Sequence, residues 1–174
     1  EGRSVLVTGH TWFKGSWLTL WLHDLGAKVH GYSLPPPTTP SNFEASRVGE
    51  LCASHTEADV RDAARLEQAL RAAEPEVIFH LAAQALVRDG YRRPAETFDV
   101  NVMGTVRLLD AARTLGRPVS IVIVTSDKCY QNSEQVGGYR ETDPMGGDDP
   151  YSASKGATEL ALAAFRRSFF PPER

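Results

Sequence analysis

The sequence is poor in cysteine and methionine, with two of each in 174 residues. Cys52 and Cys129 cannot build a disulfide framework and do not stand at metal-ligand spacing, so they read as free thiols in a reducing compartment. A charge excess is also missing: 19 Lys and Arg face 22 Asp and Glu, a formal net charge of −3. That balance gives no reason to expect nucleic acid or an anionic membrane as partner. No apolar run is long enough to cross a bilayer, and no signal-peptide pattern is present. Internal repeats and low-complexity tails are lacking, and the five histidines show no pairing at metal spacing, so no metal site is expected. What remains is the expectation of a soluble cytoplasmic enzyme or binding domain, one domain over residues 1–174 with a sizeable core.

Short apolar runs alternate with amphipathic stretches. The runs cover 4–9, 28–33, 55–60 (the weakest), 77–82 and 120–126. The first, fourth and fifth are nearly continuous Val, Ile, Leu and Phe, the pattern of strands buried on both faces. Helices are expected between them. One starts near Ser16 and stops at Gly26, with apolar residues wrapping most of the way round, as for a helix buried against a sheet. Asp62 is placed to cap the next, which ends at Pro75. A third spans 94–116, from Pro94 to Gly116, and a fourth spans 150–170 before Pro171. The proline-rich "LPPPTTPSNF" (34–43) and the Gly- and Asp-rich 130–150 read as loops, and a loop as long as the second is usually functional. Alternation of this kind predicts an α/β fold: a doubly wound parallel sheet of Rossmann type, with helices on both faces.

Two local patterns carry chemistry. "TGHTWFKGSWL" (8–18) joins a strand to a helix through a turn bearing Gly9 and Gly15. A helix N-terminus offers unpaired N–H groups and partial positive charge to a pyrophosphate, and glycines let backbone and phosphate approach closely. Trp12 stands where such a turn wants another glycine. Either the indole swings outward and leaves the amides usable, or it fills the nucleotide site; a plain surface aromatic is the bland alternative. At the end of the second strand, where NAD-binding folds carry an acid for the ribose hydroxyls, this chain has Ser33. No Arg pair stands there for a 2′-phosphate, which favours NAD as the cofactor. Asp59 and Val60 follow the third strand and could cup an adenine; a helix-capping carboxylate is the other reading of Asp59.

The second pattern is "PYSASK", which puts Tyr151 and Lys155 one turn apart on one helix face. A neighbouring ammonium favours a phenolate, which can take the proton of an alcohol while hydride leaves for a nicotinamide. The motif gains force from "VTSDKCY" (124–130), where Ser126 ends a buried strand at the edge on which open α/β sheets bind ligands. Asp127 and Lys128 follow as a potential acid and base, against the alternative of a solvated ion pair at a turn.

Together "VLVTGHT", "ADVRD", "IFHLAAQ", "NVMGT", "TSDKCY" and "YSASK" resemble, in order and spacing, the extended short-chain dehydrogenase/reductase family. Within it the chain is most similar to nucleotide-sugar 4,6-dehydratases, and the Ser-Asp-Lys triplet differs from the Thr-Asp-Glu of the dTDP-glucose branch. The resemblance implies NAD as cofactor and a nucleotide sugar, CDP-glucose, as substrate. It implies Tyr151 as base at the C4 hydroxyl, Lys155 tuning it, Ser126 holding the oxygen, Lys128 handling the C5 proton and Asp127 protonating the C6 hydroxyl. It implies that Gly9, Thr11, Trp12, Phe13, Lys14 and Gly15 line the phosphates, with Ala82, Ala83 and Gln84 close to the cofactor. Gln84, Arg88 and Tyr91 are implied to face the sugar, with an exposed helix start as the alternative. Asn101 is expected to hold helix–sheet geometry rather than touch substrate, and His80 to be a satisfied core or cofactor-side residue. A homodimer through helices 94–116 and 151–168 is implied too. Family members run roughly twice as long by the domain-size norm, and the further part is expected to carry the last strands and a smaller domain that grips the nucleotide. Another enzyme of the same superfamily, or a non-catalytic remnant with Trp12 blocking the turn, are the competing readings.

Overall fold

The computed structural model describes residues 2–134 and 136–170. They fall into two compact units. The first, Glu1–Ala82 with Asp110–Val124, contains the whole sheet. The second, Ala83–Leu109 with Thr125–Arg174, is mainly helical. Pro171, expected to stop the last helix, lies outside the described residues.

In the first unit, β1 (Ser4–Thr8), β2 (Lys28–Ser33), β3 (Ser54–Glu57), β4 (Val77–His80) and β5 (Ser120–Ile123) form one parallel sheet of order β3-β2-β1-β4-β5. Consecutive strands step outward from β1 to β3 and then jump across to β4. The carboxyl ends of β1 and β4 therefore flank the point where the winding reverses, the place where such sheets leave a crevice. Val5↔Val77 and Thr8↔His80 fix that register, and Thr8 Oγ1 and His80 Nδ1 meet at 2.7 Å. His80 is thus a satisfied core residue, 2% exposed.

Val5, Val7 and Val29 make the apolar centre, with Leu18 and Leu22 of α1 (Phe13–Asp24) packed over them. The helix differs from the expectation of a buried one. It turns Gly15, Ser16 and Thr19 inward and leaves Phe13, Trp17 and Trp21 exposed. Its inner face is small because the turn before it lies very close, so the aromatics are left to the outside. Gly26, at φ +78°, ends the helix as expected, its N–H donating to the His23 carbonyl.

The proline-rich stretch gives way sooner than expected to two short helices, α2 (Asn42–Ala45) and α3 (Val48–Leu51). Ser41 caps α2: its Oγ accepts from the Glu44 N–H at 3.2 Å and donates to the Glu44 carboxylate at 3.0 Å. Ser-x-x-Glu is a pattern of helix starts, and the loop reading of 34–43 passed over it. In α4 (Ala63–Ala73), Asp62 is the cap, accepting from the Arg65 N–H at 3.0 Å, while Leu66 and Leu70 are buried.

In the second unit, α5 (Val87–Arg92) precedes a segment expected as one helix over 94–116. It is interrupted: α6 (Pro94–Phe98), a π-helical turn Asp99–Met103, then α7 (Gly104–Arg113), of which Gly104–Leu109 belong to this unit. A 3₁₀ turn at Asp127–Cys129 and the long helix α8 (Pro150–Phe169) follow. The loop between them closes on itself through Tyr130 and Met145, and the Tyr130 and Tyr139 rings stack at 5.1 Å. No helix among the described residues is long and apolar enough to cross a membrane.

Candidate functional site

The turn after β1 is built for close approach. Gly9 sits at φ +77°, and a Cβ there would lie 2.8 Å from the Ala82 nitrogen, where the chain leaves β4. At Gly15 a Cβ would lie 2.1 Å from the Gly9 carbonyl oxygen. Gly9 and Gly15 are therefore fixed by backbone contact within the protein, before any ligand is considered. Trp12 is the N-cap of α1 at φ −85°, ψ 166°. This is extended backbone that any residue adopts, so the turn does not need glycine at 12 for its shape. Trp12 gives the helix no side-chain cap, and no acid stands in its first turn. The first-turn amides of Phe13, Lys14 and Gly15 and the exposed Lys14 are the donor set that suits a pyrophosphate.

Thr11 uses its hydroxyl elsewhere. Its Oγ1 lies 2.8 Å from Ser33 Oγ and donates to the Leu34 carbonyl, tying the turn to the end of β2. Asp59 is not the helix cap, a place Asp62 takes. Its carboxylate is paired with Arg61, at 2.6 Å from the terminal guanidinium nitrogen, and Val60 beside it is buried. His10, which the sequence reading passed over, is fully buried beneath the turn. Its Nε2 lies 2.7 Å from His55 Nδ1, and its Nδ1 has no partner among the described residues. Burial, then the His55 charge, lowers the His10 pKa to about 4.

The second unit brings the proposed catalytic side chains onto two adjoining elements. Ser126 caps the Asp127–Cys129 turn: its Oγ accepts from the Lys128 N–H at 3.2 Å and donates to the Asp127 carboxylate at 3.0 Å. Asp127 and Lys128 are both exposed, so the burial that would bring such a pair toward neutrality is not supplied by the described residues. On α8, Tyr151 is half-buried and Lys155 is buried, with Lys155 Nζ 5.9 Å from the centre of the Tyr151 ring. The helix lies against the turn because residue 156 is glycine. A Cβ there would be 3.1 Å from the Cys129 carbonyl oxygen.

Asp149 starts α8 and escaped the sequence reading, although an acid directly before Pro at a helix start is a capping signal. Its carboxylate accepts from the N–H groups of Tyr151 and Ser152 and from the Ser152 hydroxyl, the last at 2.5 Å. Desolvation pushes its pKa up, but these bonds and the nearby Lys128 charge outweigh that and hold it below the usual value.

Gln84 spends its side chain within its own loop. It accepts from the Leu86 N–H at 2.6 Å and donates to Thr97 Oγ1 at 3.0 Å, while Arg88 and Tyr91 are exposed on α5. Ala82 and Ala83 are half-buried at the end of β4. Asn101 is buried and holds geometry, between the loop after β4 and α8. It donates to the Gln84 carbonyl at 3.1 Å and to Ser154 Oγ at 2.8 Å, and accepts from the Gln84 N–H.

A doubly wound parallel sheet with a glycine-bearing turn after β1, and a helix bearing Tyr-x-x-x-Lys packed on a Ser-Asp-Lys turn, define a dinucleotide-binding domain of the short-chain dehydrogenase/reductase class. The chain belongs, within the extended branch of that class, to the family described as GDP-mannose 4,6 dehydratase, whose profile matches residues 6–170. It is 54% identical to CDP-glucose 4,6-dehydratase of Salmonella typhimurium over 99% of its own length and 48% of that protein's. To dTDP-glucose 4,6-dehydratase of Xanthomonas campestris the identity is 27%, over 96% of this chain and 50% of the relative. The chain thus spans about half the length of these relatives. Among solved structures, UDP-glucose 4-epimerase of Brucella ovis in complex with NAD superposes with a TM-score of 0.83 at 28% identity, over 97% of this chain and 49% of that one. Thermotoga maritima UDP-glucose 4-epimerase with UDP-glucose also gives 0.83, at 26% identity, over 95% and 52%.

Proposed function

We propose that this chain carries the cofactor-binding and acid–base part of a nucleotide-sugar 4,6-dehydratase that uses NAD and acts on CDP-glucose. The observation that carries the reading is the seat of α8 on the Asp127–Cys129 turn at Gly156, which puts Tyr151 and Lys155 on the helix packed against Ser126, Asp127 and Lys128. The 54% identity to a CDP-glucose 4,6-dehydratase supports the choice of nucleotide.

The uncapped first turn of α1 and Lys14 would hold the pyrophosphate. When bound, NAD supplies a hydride acceptor for C4 of the sugar and a hydride donor for C6. Tyr151 takes the proton of the C4 hydroxyl, Lys155 supports the phenolate, and Ser126 holds the reacting oxygen. With C4 a ketone, the C5 proton is acidic and Lys128 removes it. Asp127 gives a proton to the C6 hydroxyl as water leaves. Arg88 and Tyr91, exposed on α5, stand toward the sugar in this reading, and Gln84 would join them only by giving up its bonds to Leu86 and Thr97. Homodimerisation through 94–116 and 151–168 belongs to it as well, supported by exposed Phe98, Met103 and Leu160 on those segments. Free Cys52 and Cys129 suit a cytoplasmic setting.

The test is NAD titration followed by CDP-glucose turnover. Lys128→Ala is expected to lose turnover by roughly a hundredfold or more with NAD affinity unchanged; unchanged turnover would remove its role as base. The exposure of Asp127 and Lys128 favours a second reading, a domain that binds NAD without turning over sugar. NAD binding with no product from CDP-glucose in the full-length protein selects it.

A further inference from the structure

We infer that Glu159 is a positioning residue for the Ser126–Asp127–Lys128 turn, acting through Thr125. This rests on the dehydratase reading only in that the turn is taken as catalytic. Glu159 stands one helical turn beyond Lys155 on α8, so Tyr151, Lys155 and Glu159 follow one another at i, i+4 spacing along one side of the helix. Thr125 is the residue directly before Ser126. Its Oγ1 donates to Glu159 Oε1 at 2.5 Å, and both side chains are half-buried. The acceptor is a carboxylate, and hydroxyl-to-carboxylate bonds are among the stronger hydrogen bonds in proteins.

The turn's other bonds act within it and at its far end. Lys128 N–H donates to Ser126 Oγ, Cys129 N–H to the Ser126 carbonyl and Tyr130 N–H to the Asp127 carbonyl, and Gly146 N–H ties the far end down through the Cys129 carbonyl at 2.8 Å. Asp127 and Lys128 are exposed. Two features of α8 bracket the turn. Past its end, Gly156 lets the helix come against the Cys129 carbonyl. Before its start, Glu159 holds Thr125. The first is a steric contact that limits approach. The second is directional, and it fixes where the chain points as it enters Ser126. Neither residue need touch substrate. Their effect is to set the turn that bears the acid and the base against the helix that bears the phenol.

The experiment compares Thr125→Val, Thr125→Ser and Glu159→Gln in the full chain, by amide hydrogen exchange and by CDP-glucose turnover with NAD. Thr125→Val keeps the shape and removes the hydroxyl; Thr125→Ser keeps the hydroxyl. Exchange at Lys128 and Cys129 is expected to rise roughly tenfold or more in Thr125→Val and Glu159→Gln, with β1 amides unchanged, and to return toward wild type in Thr125→Ser. In turnover, kcat is expected to fall about tenfold with KM and NAD affinity unchanged, again rescued by serine. Wild-type exchange at the turn in both hydroxyl- and carboxylate-deleted variants overturns the inference. Absence of turnover in the unmodified full-length protein sinks the dehydratase reading instead, and the exchange result still decides the tie.

Discussion

One residue with a large electrostatic consequence touches no proposed substrate atom. His10 is buried beneath the turn after β1, against the rings of His55 and Phe43. A Cβ at Gly31 would lie 2.3 Å from its Nε2, so β2 leaves the ring no room to turn away. The unfolded chain takes up a proton at His10 near pH 6.5, whereas the folded chain resists until about 4. Stability from this group is therefore fully present above pH 6.5 and is lost as pH falls toward 4, by an amount on the order of 3 kcal/mol. Urea midpoints measured across that window should fall, and should fall less in His10→Asn; an identical slope in the two proteins would count against this account. A second residue-scale prediction concerns thiols. Burial pushes Cys52 up to about 11 and raises Cys129 as well. Native labelling by a thiol reagent at pH 8 should be slow, and should accelerate in urea as both thiols return to ordinary values. Rapid labelling of the folded protein would contradict it.

At the scale of elements, the two helices that matter start in opposite ways. α1 begins with no capping side chain, and α8 begins with Asp149 satisfying two amides and a hydroxyl. An uncapped start keeps its donors for a ligand; a capped start is a fixed support for Tyr151. Asp149→Ala should destabilise the protein by about 1 kcal/mol in thermal unfolding. Because the folded carboxyl is held low, its contribution is present above the ordinary Asp range near pH 4 and disappears as pH falls below it. No loss of stability at pH 7 on substitution would refute the capping role. Much of this level was legible in the sequence. Gly26 and Asp62 announced a helix end and a helix start by residue type alone, and the Gly9 and Gly15 spacing announced the turn. The π-turn at Asp99–Met103 was not legible, since nothing in "DVNVM" breaks the 3.6-residue period. The interruption coincides with tertiary bonds around Asn101, whose carbonyl accepts from Thr105 and Thr158. Thr125 and Glu159 were missed for the same reason: a bond between residues far apart in sequence leaves no local pattern.

At the scale of the whole molecule, the doubly wound parallel sheet was readable from the alternation of strands and helices, but the burial of each strand was not. Continuous Val and Ile over 120–126 suggested a strand covered on both faces. In the structure β5 pairs only with β4 among the described residues, and Val122 and Val124 are 44% and 36% exposed. Composition reports what a strand could bury, and the neighbours decide what it does bury. An edge strand with open N–H and C=O groups and exposed β-branched side chains is a template for pairing with another chain. A polypeptide limited to residues 1–174 should therefore associate with rising concentration in sedimentation velocity, and a charge placed on that edge should suppress it. Val122→Lys is the direct trial, because the side chain is exposed already and the substitution sacrifices little burial. It should shift the distribution toward the smaller species held by the helical segments alone, with thermal stability nearly unchanged. If instead Val122→Lys leaves association as it was while Leu160→Glu on α8 abolishes it, the contact runs through the helical segments and the sheet edge is innocent.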